Sequence, residues 1–264
     1  MNIFKAGKYE LPLNKKTYIM GILNVTPDSF SDGNKWFDVE SAINHAIYMQ
    51  NDGADIIDIG AQSTRPGYTK ISPEEELKRL IPVLERLKGK INIPISIDSF
   101  YPEVIEKALK YDIDIINDVD GFKNEKMMKL ARNCNCGCIV MHDGPNDEMK
   151  DFFVQQIKKM TDLGISKNRI CLDPGIGFGK TYEENLDVIR NLNKYIFEGV
   201  SMLIGASRKR MIGVPCGNPP FTQRMPGTIA AHTISIYNGA NIIRVHDVKE
   251  AVQAAKVTDA ILKR

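Results

Sequence analysis

The segment 94–119, PISIDSFYPEVIEKALKYDIDIINDV, predicts one strand–helix–strand unit. Residues 94–99 and 113–119 are short and rich in isoleucine, a composition typical of buried strands. Residues 102–112 begin with a proline, which the first turn of a helix accepts, and they provide the crossover that two parallel strands need. The segment therefore indicates a parallel βαβ unit.

The same unit recurs about eight times along the chain. The predicted strands end near residues 25, 60, 99, 119, 142, 174, 206 and 245. Short apolar strands that alternate with amphipathic helices over about 250 residues favour a (β/α)8 barrel, the α/β TIM barrel. A doubly wound α/β sheet is the alternative, but no Gly-x-Gly-x-x-Gly fingerprint follows an early strand. No linker divides the sequence, so we expect a single domain over residues 1–264.

The charge and composition of the chain exclude several classes of protein. Its 35 basic and 33 acidic residues are dispersed, so no basic block predicts binding to nucleic acid or to a membrane surface. Residues 1–16 are too charged for a signal peptide, and no apolar run approaches membrane-spanning length. The five cysteines, an odd number, argue against a disulfide framework. We therefore expect a cytoplasmic protein with reduced thiols.

Polar residues follow the apolar part of nearly every predicted strand. In a (β/α)8 barrel the carboxyl ends of the strands share one face, and active sites lie there. The groups at the strand ends are Asn24, 60–65, Asp98, Asn117, His142, Asp173, 207–209 and 244–246. One such group could simply cap the next helix, but so many on one face indicate a binding pocket.

These groups divide into two chemical sets. Asp98, Asn117 and Asp173 offer carboxylates and an amide that suit the donor-rich edge of a flat heterocycle. The other set offers hydrogen-bond donors and positive charge, which suit a phosphate or a carboxylate. Its members are Asn24, Arg65, Lys209, Arg244 and His246. The sequence thus predicts a pocket with one acidic and one basic side.

Two sequence features resemble the motifs of other functional sites, a nucleotide-binding loop and a zinc site. Residues 175–181, GIGFGKT, end like a Walker A loop, but Pro174 stands where that loop needs its first glycine. We therefore expect no nucleotide P-loop; the glycines let the backbone approach a ligand, and Phe178 supplies an aromatic wall. His142 and His246 lack a His-Glu-x-x-His pattern, which argues against a zinc hydrolase.

Blocks of sequence spread over nearly the whole chain resemble the dihydropteroate synthase family of pterin-binding barrels. They are 21–33 (GILNVTPDSFSDG), 63–67 (STRPG), 96–99 (SIDS), 116–118 (IND), 173–180 (DPGIGFGK), 207–209 (SRK) and 244–247 (RVHD). The resemblance implies condensation of 7,8-dihydropterin-6-ylmethyl diphosphate with 4-aminobenzoate, which yields 7,8-dihydropteroate and diphosphate in folate biosynthesis. It also implies a Mg2+ cofactor, a homodimer, and membership of a family that sulfonamides inhibit.

The family's motifs imply a role for each matching residue. The pterin would be held by Asp98, Asn117, Asp173 and Lys209. The diphosphate would be bound by Asn24, Arg244 and His246, with Asn24 also reaching the metal. The aminobenzoate would lie against Ser63, Thr64, Arg65, Phe178 and Arg210. The loops that contain residues 24–33 and 63–67 would order over the substrates, and we expect the first to be disordered in the free protein.

The implied reaction assigns catalytic roles to Asp32, Lys209 and Arg65. Loss of diphosphate from the pterin-conjugated methylene develops positive charge on carbon, which a carboxylate such as Asp32 would stabilise. Cationic groups and Mg2+ would stabilise the departing diphosphate. The weakly basic aniline needs little deprotonation before it attacks, so we expect no nucleophilic side chain.

The chain departs from the family pattern at several places. Gly60-Ala61-Gln62 stands where Gly-Gly-Glu is expected, and Arg210 replaces a common serine. The segment 142–173 is short, with His142-Asp143-Gly144 in place of a Met-His-Met pattern. Two other functions stay open: a pterin-dependent methyltransferase that passes a methyl group from a reduced folate to a corrinoid, and a non-catalytic pterin- or phosphate-binding barrel.

Overall fold

The computed structural model describes residues 2–25, 35–62 and 70–264, with only the backbone of 35–38. The strands in these ranges are β1 (Ile3–Ala6), β2 (Tyr9–Pro12), β3 (Tyr18–Asn24), β4 (Ile56–Gly60), β5 (Ile95–Asp98), β6 (Ile115–Asp118), β7 (Gly137–Met141), β8 (Ile170–Asp173), β9 (Ser201–Ile204) and β10 (Ile242–Val245). Strands β3 to β10 are parallel and form one closed barrel, in which β10 pairs with β3. The predicted (β/α)8 TIM barrel is confirmed.

Helices cover the outside of this barrel. In the described ranges they are α1 (Lys35–Asn51), α2 (Pro73–Leu87), α3 (Pro102–Ala108), α4 (Glu125–Asn133), α5 (Asn146–Asp162), α6 (Tyr182–Arg190), α7 (Arg210–Gly213), α8 (Met225–Tyr237) and α9 (Val248–Leu262). Outward-facing strand residues such as Ile57, Ile97 and Val140 pack with the helices in one large core. None of these helices is both long and apolar enough to cross a lipid bilayer.

The unit β5–α3–β6 follows the predicted order with shorter elements. Helix α3 ends at Ala108, and a single 3-10 turn, Leu109–Tyr111, follows it. Asp112 then adopts a left-handed conformation with φ of +56°, which no helix continues through. The predicted helix 102–112 therefore extends too far, because its last turn changes conformation before β6.

Strands β1 and β2 form an antiparallel hairpin that no pattern in the sequence indicated. Phe4 and Ala6 of this hairpin are 0% exposed, and they pack with inward-facing barrel residues such as Met20 and Ile139. The contact requires Gly137 on β7, because a Cβ atom there would lie 2.6 Å from the Phe4 ring. The hairpin thus fills the amino-terminal end of the barrel and leaves the carboxyl ends of the strands for a pocket.

Candidate active site

Arg244 of β10 joins two carboxylates at the carboxyl-terminal end of the barrel. Its Nε donates a hydrogen bond to Asp58 Oδ2 at 2.6 Å, and its Nη2 donates one to Asp98 Oδ2 at 2.7 Å. Asp58 also accepts from the Asn117 Nδ2 amide at 3.2 and 3.3 Å. Burial alone would lower the pKa of Arg244, but Asp58 and Asp98 raise it, so the guanidinium stays charged. Strands β4, β5, β6 and β10 thereby meet in one polar network.

One carboxylate oxygen of Asp98 differs from the other in its hydrogen bonding. Its side chain is 8% exposed, and its Oδ1 atom is buried without a hydrogen-bond partner in the described part of the chain. Burial raises the pKa of Asp98 to about 7; Arg244 opposes this shift and Asp58 reinforces it. A buried acceptor without a donor is unfavourable, so this oxygen is suited to a ligand N–H group.

Asp173 and Lys209 form the opposite side of the pocket. Asp173 ends β8, and its Oδ1 accepts a hydrogen bond from the Gly175 backbone N–H at 2.8 Å. Burial raises the pKa of Asp173, whereas the ammonium of Lys209 opposes this shift. Lys209 Nζ donates to the Ile176 carbonyl and lies 4.6 Å from the centre of the Phe178 ring. Burial lowers the pKa of Lys209 to about 8 although Asp173 opposes it.

The loops after β9 and β10 are joined to each other beside this pocket. The Ser207 hydroxyl lies 2.9 Å from His246 Nδ1 and accepts a hydrogen bond from the His246 backbone N–H at 3.2 Å. Arg208, at φ of +58°, donates from Nε to Asp247 Oδ2 at 3.0 Å and from Nη2 to Asp247 Oδ1 at 2.5 Å. The paired loops hold His246 at the same rim as Lys209.

The structure brings together most of the residues that the sequence pattern selected. Those that line the pocket or its rim are Asn117, Asp98, Asp173, Phe178, Lys209, Arg244 and His246. Asn24 ends β3 at this rim and is half-buried, whereas Arg210 begins α7 and is exposed. Asp32, Ser63, Thr64 and Arg65 lie outside the described residues, as does most of the first predicted loop.

Among the described residues, Asp58 is a site residue that the sequence pattern did not predict. It lies within β4, and its side chain is 0% exposed beside Arg244 and Asn117. A signal was present, because a carboxylate in the middle of the apolar strand Ile56–Gly60 requires a buried partner. The sequence analysis considered only polar residues at the ends of strands, and Asp58 lies two residues before the end of β4.

The arrangement suits a ligand with two different parts. Asp98, Asn117 and Asp173 present acceptors and an amide inside the barrel, next to an aromatic ring and an ammonium group. Asp58 lies behind them and binds Asn117 and Arg244. Arg244 and His246 add donors and positive charge toward the rim. Such a pocket fits a flat, donor-rich heterocycle that carries an anionic group.

Comparison with known proteins gives consistent matches over nearly the whole chain. A sequence model of the family described as pterin binding enzyme matches residues 20–246. The chain is similar to the dihydropteroate synthase of Clostridium beijerinckii, with 44% identity over 98% of this chain and 100% of that relative. It is also similar to the solved structure of a dihydropteroate synthase from Clostridium difficile in the presence of pteroic acid (TM-score 0.91, 44% identity, 95% of this chain and 98% of that chain). The dihydropteroate synthase structure from Xanthomonas albilineans with 4-aminobenzoic acid matches with a TM-score of 0.93 and 38% identity over 99% of each chain.

Proposed function

The chain belongs to the pterin binding enzyme family, and from this premise we propose that it catalyses the dihydropteroate synthase reaction of folate biosynthesis. The protein is a transferase that condenses 7,8-dihydropterin-6-ylmethyl diphosphate with 4-aminobenzoate, and it releases 7,8-dihydropteroate and diphosphate. The observation that carries the assignment is the buried Asp98 Oδ1 atom, which has no hydrogen-bond donor among the described residues and lies beside Asn117 and close to Asp173. The N–H groups at the edge of a pterin ring supply that donor.

The pterin is held by Asp98, Asn117, Asp173 and Lys209. Support for this role comes from the chemistry of their side chains, since carboxylates accept from the ring edge and the ammonium of Lys209 donates to it. Phe178 covers one side of the same space at 4.6 Å from Lys209 Nζ. Asp58 positions this set through Arg244 and Asn117.

The diphosphate is bound by Asn24, Arg244 and His246 at the rim of the barrel. Arg244 uses Nε and one Nη2 proton for Asp58 and Asp98, so its Nη1 group and the second Nη2 proton are suited to phosphate oxygens. As the leaving group departs with negative charge, the guanidinium stabilises it.

Mg2+ fits this rim as an ion shared with the substrate. Among the described residues no group of three or more His, Cys, Asp or Glu side chains is arranged to hold a metal. Asn24, at the end of β3, would contribute one amide oxygen, and Mg2+ commonly takes its other ligands from substrate phosphates and waters. When bound, the ion neutralises charge on the departing diphosphate.

The aminobenzoate is bound by Phe178 and Arg210, and the family pattern adds Ser63, Thr64 and Arg65, which lie outside the described residues. Arg65 and Arg210 are suited to its carboxylate, which an arginine recognises through two parallel hydrogen bonds. Diphosphate loss comes first, Asp32 stabilises the positive charge that develops on the methylene carbon, and the aniline nitrogen then attacks.

The protein works as a homodimer in the cytoplasm. Support for the dimer comes from large apolar side chains exposed on α8 and α9, two helices that pack side by side. They are Ile234 (50% exposed), Tyr237 (71%), Val257 (56%) and Ile261 (74%). Support for the cytoplasm comes from the cysteines, which are all free, with Cys136, Cys138 and Cys171 buried as thiols.

The test is incubation of the purified protein with the dihydropterin diphosphate, 4-aminobenzoate and Mg2+. The expected result is stoichiometric formation of 7,8-dihydropteroate and diphosphate, detected by chromatography. Binding of the pterin diphosphate without product would instead indicate a non-catalytic pterin-binding barrel. Methyl transfer from a reduced folate, without use of the diphosphate, would indicate the methyltransferase.

A further inference from the structure

Lys180, on the loop between β8 and α6, places its ammonium group among backbone carbonyls. Its Nζ donates to Gly144 O at 2.8 Å, to His142 O at 3.3 Å and to Phe178 O at 3.4 Å. His142 Nδ1 lies 3.4 Å from the same nitrogen. An ammonium group has three protons, so these acceptors saturate it. Lys180 therefore has no proton left for an anionic substrate.

The carbonyls around Lys180 belong to two different loops. His142 and Gly144 follow β7, whereas Phe178 follows β8. These loops approach so closely that Gly175, at φ of +68°, could carry no side chain, because its Cβ atom would overlap His142 O. Without the ammonium, these three partly buried carbonyls would lose a donor that the described part of the chain provides. Lys180 thus joins the two loops.

The loop that Lys180 holds also forms one side of the pocket. Its Gly175 N–H contacts Asp173, and its Ile176 carbonyl accepts from Lys209. The ring of Phe178, whose own carbonyl Lys180 binds, lies over the Lys209 ammonium. A shift of this loop would therefore displace the partners of Lys209 without any direct contact between Lys180 and a substrate.

We propose that Lys180 is a positioning residue, whose ammonium locks the loops after β7 and β8 together so that Phe178 and Ile176 orient Lys209 toward the pterin. This role accounts for the lysine of the GIGFGKT segment. In a Walker A loop the lysine contacts phosphate, but here the ammonium contacts backbone carbonyls of its own chain.

The test is a double-mutant cycle between Lys180 and Phe178 with 7,8-dihydropteroate as the ligand. The choice of this ligand rests on the proposed function. Its dissociation constant is measured by calorimetry for the wild type, Lys180→Met, Phe178→Leu and the double variant. We expect Lys180→Met to weaken binding about tenfold when Phe178 is present and less than about twofold when it is replaced. If Lys180→Met weakens binding by the same factor with and without the Phe178 ring, the proposal is overturned. Such a result would indicate a general loss of structure, which does not depend on Phe178.

A matched control is Lys123→Met, which removes an exposed lysine from the loop between β6 and α4, 5.4 Å from the Phe152 ring. Its dissociation constant should stay within about twofold of the wild type, and a loss equal to that of Lys180→Met would overturn the proposal. If Lys180→Met does not fold, Lys180→Arg replaces it. The factor by which Lys180→Arg weakens binding is then compared between the wild-type and Phe178→Leu backgrounds in the same way. A wild type that does not bind dihydropteroate would overturn the proposed function and this inference together. If the wild type binds but Lys180→Met has the same effect with and without Phe178, only this inference is overturned.

Discussion

Asp58 and Arg244 are the residues on which the polar centre of the pocket depends. Asp58 is fully buried, and it accepts hydrogen bonds from Arg244 and Asn117. A buried ion pair adds little stability when compared with apolar residues, but the loss of one partner leaves the other charge without compensation. The pair is therefore a sensitive point for both stability and ligand binding.

Asp58→Ala should lower the free energy of unfolding by about 3 kcal/mol, because Arg244 loses one of its two carboxylates inside the barrel. Urea unfolding measures this change. The matched control is Glu40→Ala, which removes the exposed ion pair between Glu40 and Arg86 and should cost less than about 1 kcal/mol. Similar losses in the two variants would contradict the role of Asp58.

Asp98 should make stability depend on pH. Its pKa, raised to about 7 by burial, exceeds that of an unfolded aspartate, so the folded chain binds the proton more tightly. The contribution to stability is then present at low pH and is lost as the pH rises toward 7. The unfolding free energy of the wild type should therefore fall more steeply between pH 5 and 7 than that of Asp98→Asn. Glu76 and Asp118, whose pKa values burial also raises to about 7, titrate in both proteins, so parallel curves would contradict this prediction.

Asp32→Ala should separate turnover from binding. The charge that Asp32 is assigned to stabilise exists only during the reaction, so kcat should fall by about 100-fold. The dissociation constant for the dihydropterin diphosphate should change by less than about threefold, because the ground state carries no such charge. Steady-state kinetics and calorimetry give the two values, and an unchanged kcat would remove Asp32 from the mechanism.

At the scale of elements, the alternation of strand and helix was predictable because each element has its own apolar spacing. The ends of elements were not: α3 stops at Ala108, and α6 ends at Arg190 before a 3-10 turn, Leu192–Tyr195. Local backbone conformations such as that of Asp112 decide these ends. The hairpin β1–β2 was not predicted, because strands of four residues are too short to show an alternation of apolar and polar residues. Their burial also depends on the barrel that they close.

Phe4→Ala should destabilise the protein without altering its chemistry. The Phe4 side chain is 0% exposed at the amino-terminal end of the barrel, so its removal leaves a cavity and should cost about 3 kcal/mol. At temperatures where the variant is folded, kcat and KM should stay within about twofold of the wild type, because the pocket lies at the other end. Val154→Ala on α5, 48% exposed, is the matched control for stability. A selective loss of kcat in Phe4→Ala would show that the hairpin shapes the pocket.

At the scale of the whole molecule, the apolar side chains on α8 and α9 predict self-association. Tyr237→Glu places a charge in this surface and should convert a dimer into a monomer of 29.6 kDa, as measured by sedimentation velocity. Val154→Glu, on a helix elsewhere around the barrel, should leave the dimer intact. A wild type that sediments as a monomer would contradict the homodimer.

The amino-acid sequence by itself determined the repeating strand–helix unit and the acidic and basic groups at the strand ends, since spacing and residue type are local properties. The pocket residues that these local properties were enough to select are Asp98, Asn117, Asp173, Lys209, Arg244 and His246. The partners of these residues could not be selected in the same way.

Only closure of the barrel decided which buried groups meet. It brings Asp58 to Arg244 from a point 186 residues away in the chain, because β10 returns to pair with β3. It also places His142 O and Gly144 O around Lys180, so that this lysine links two loops. A buried charge must find its compensation among its neighbours in space, and those neighbours come from distant segments that no local pattern connects.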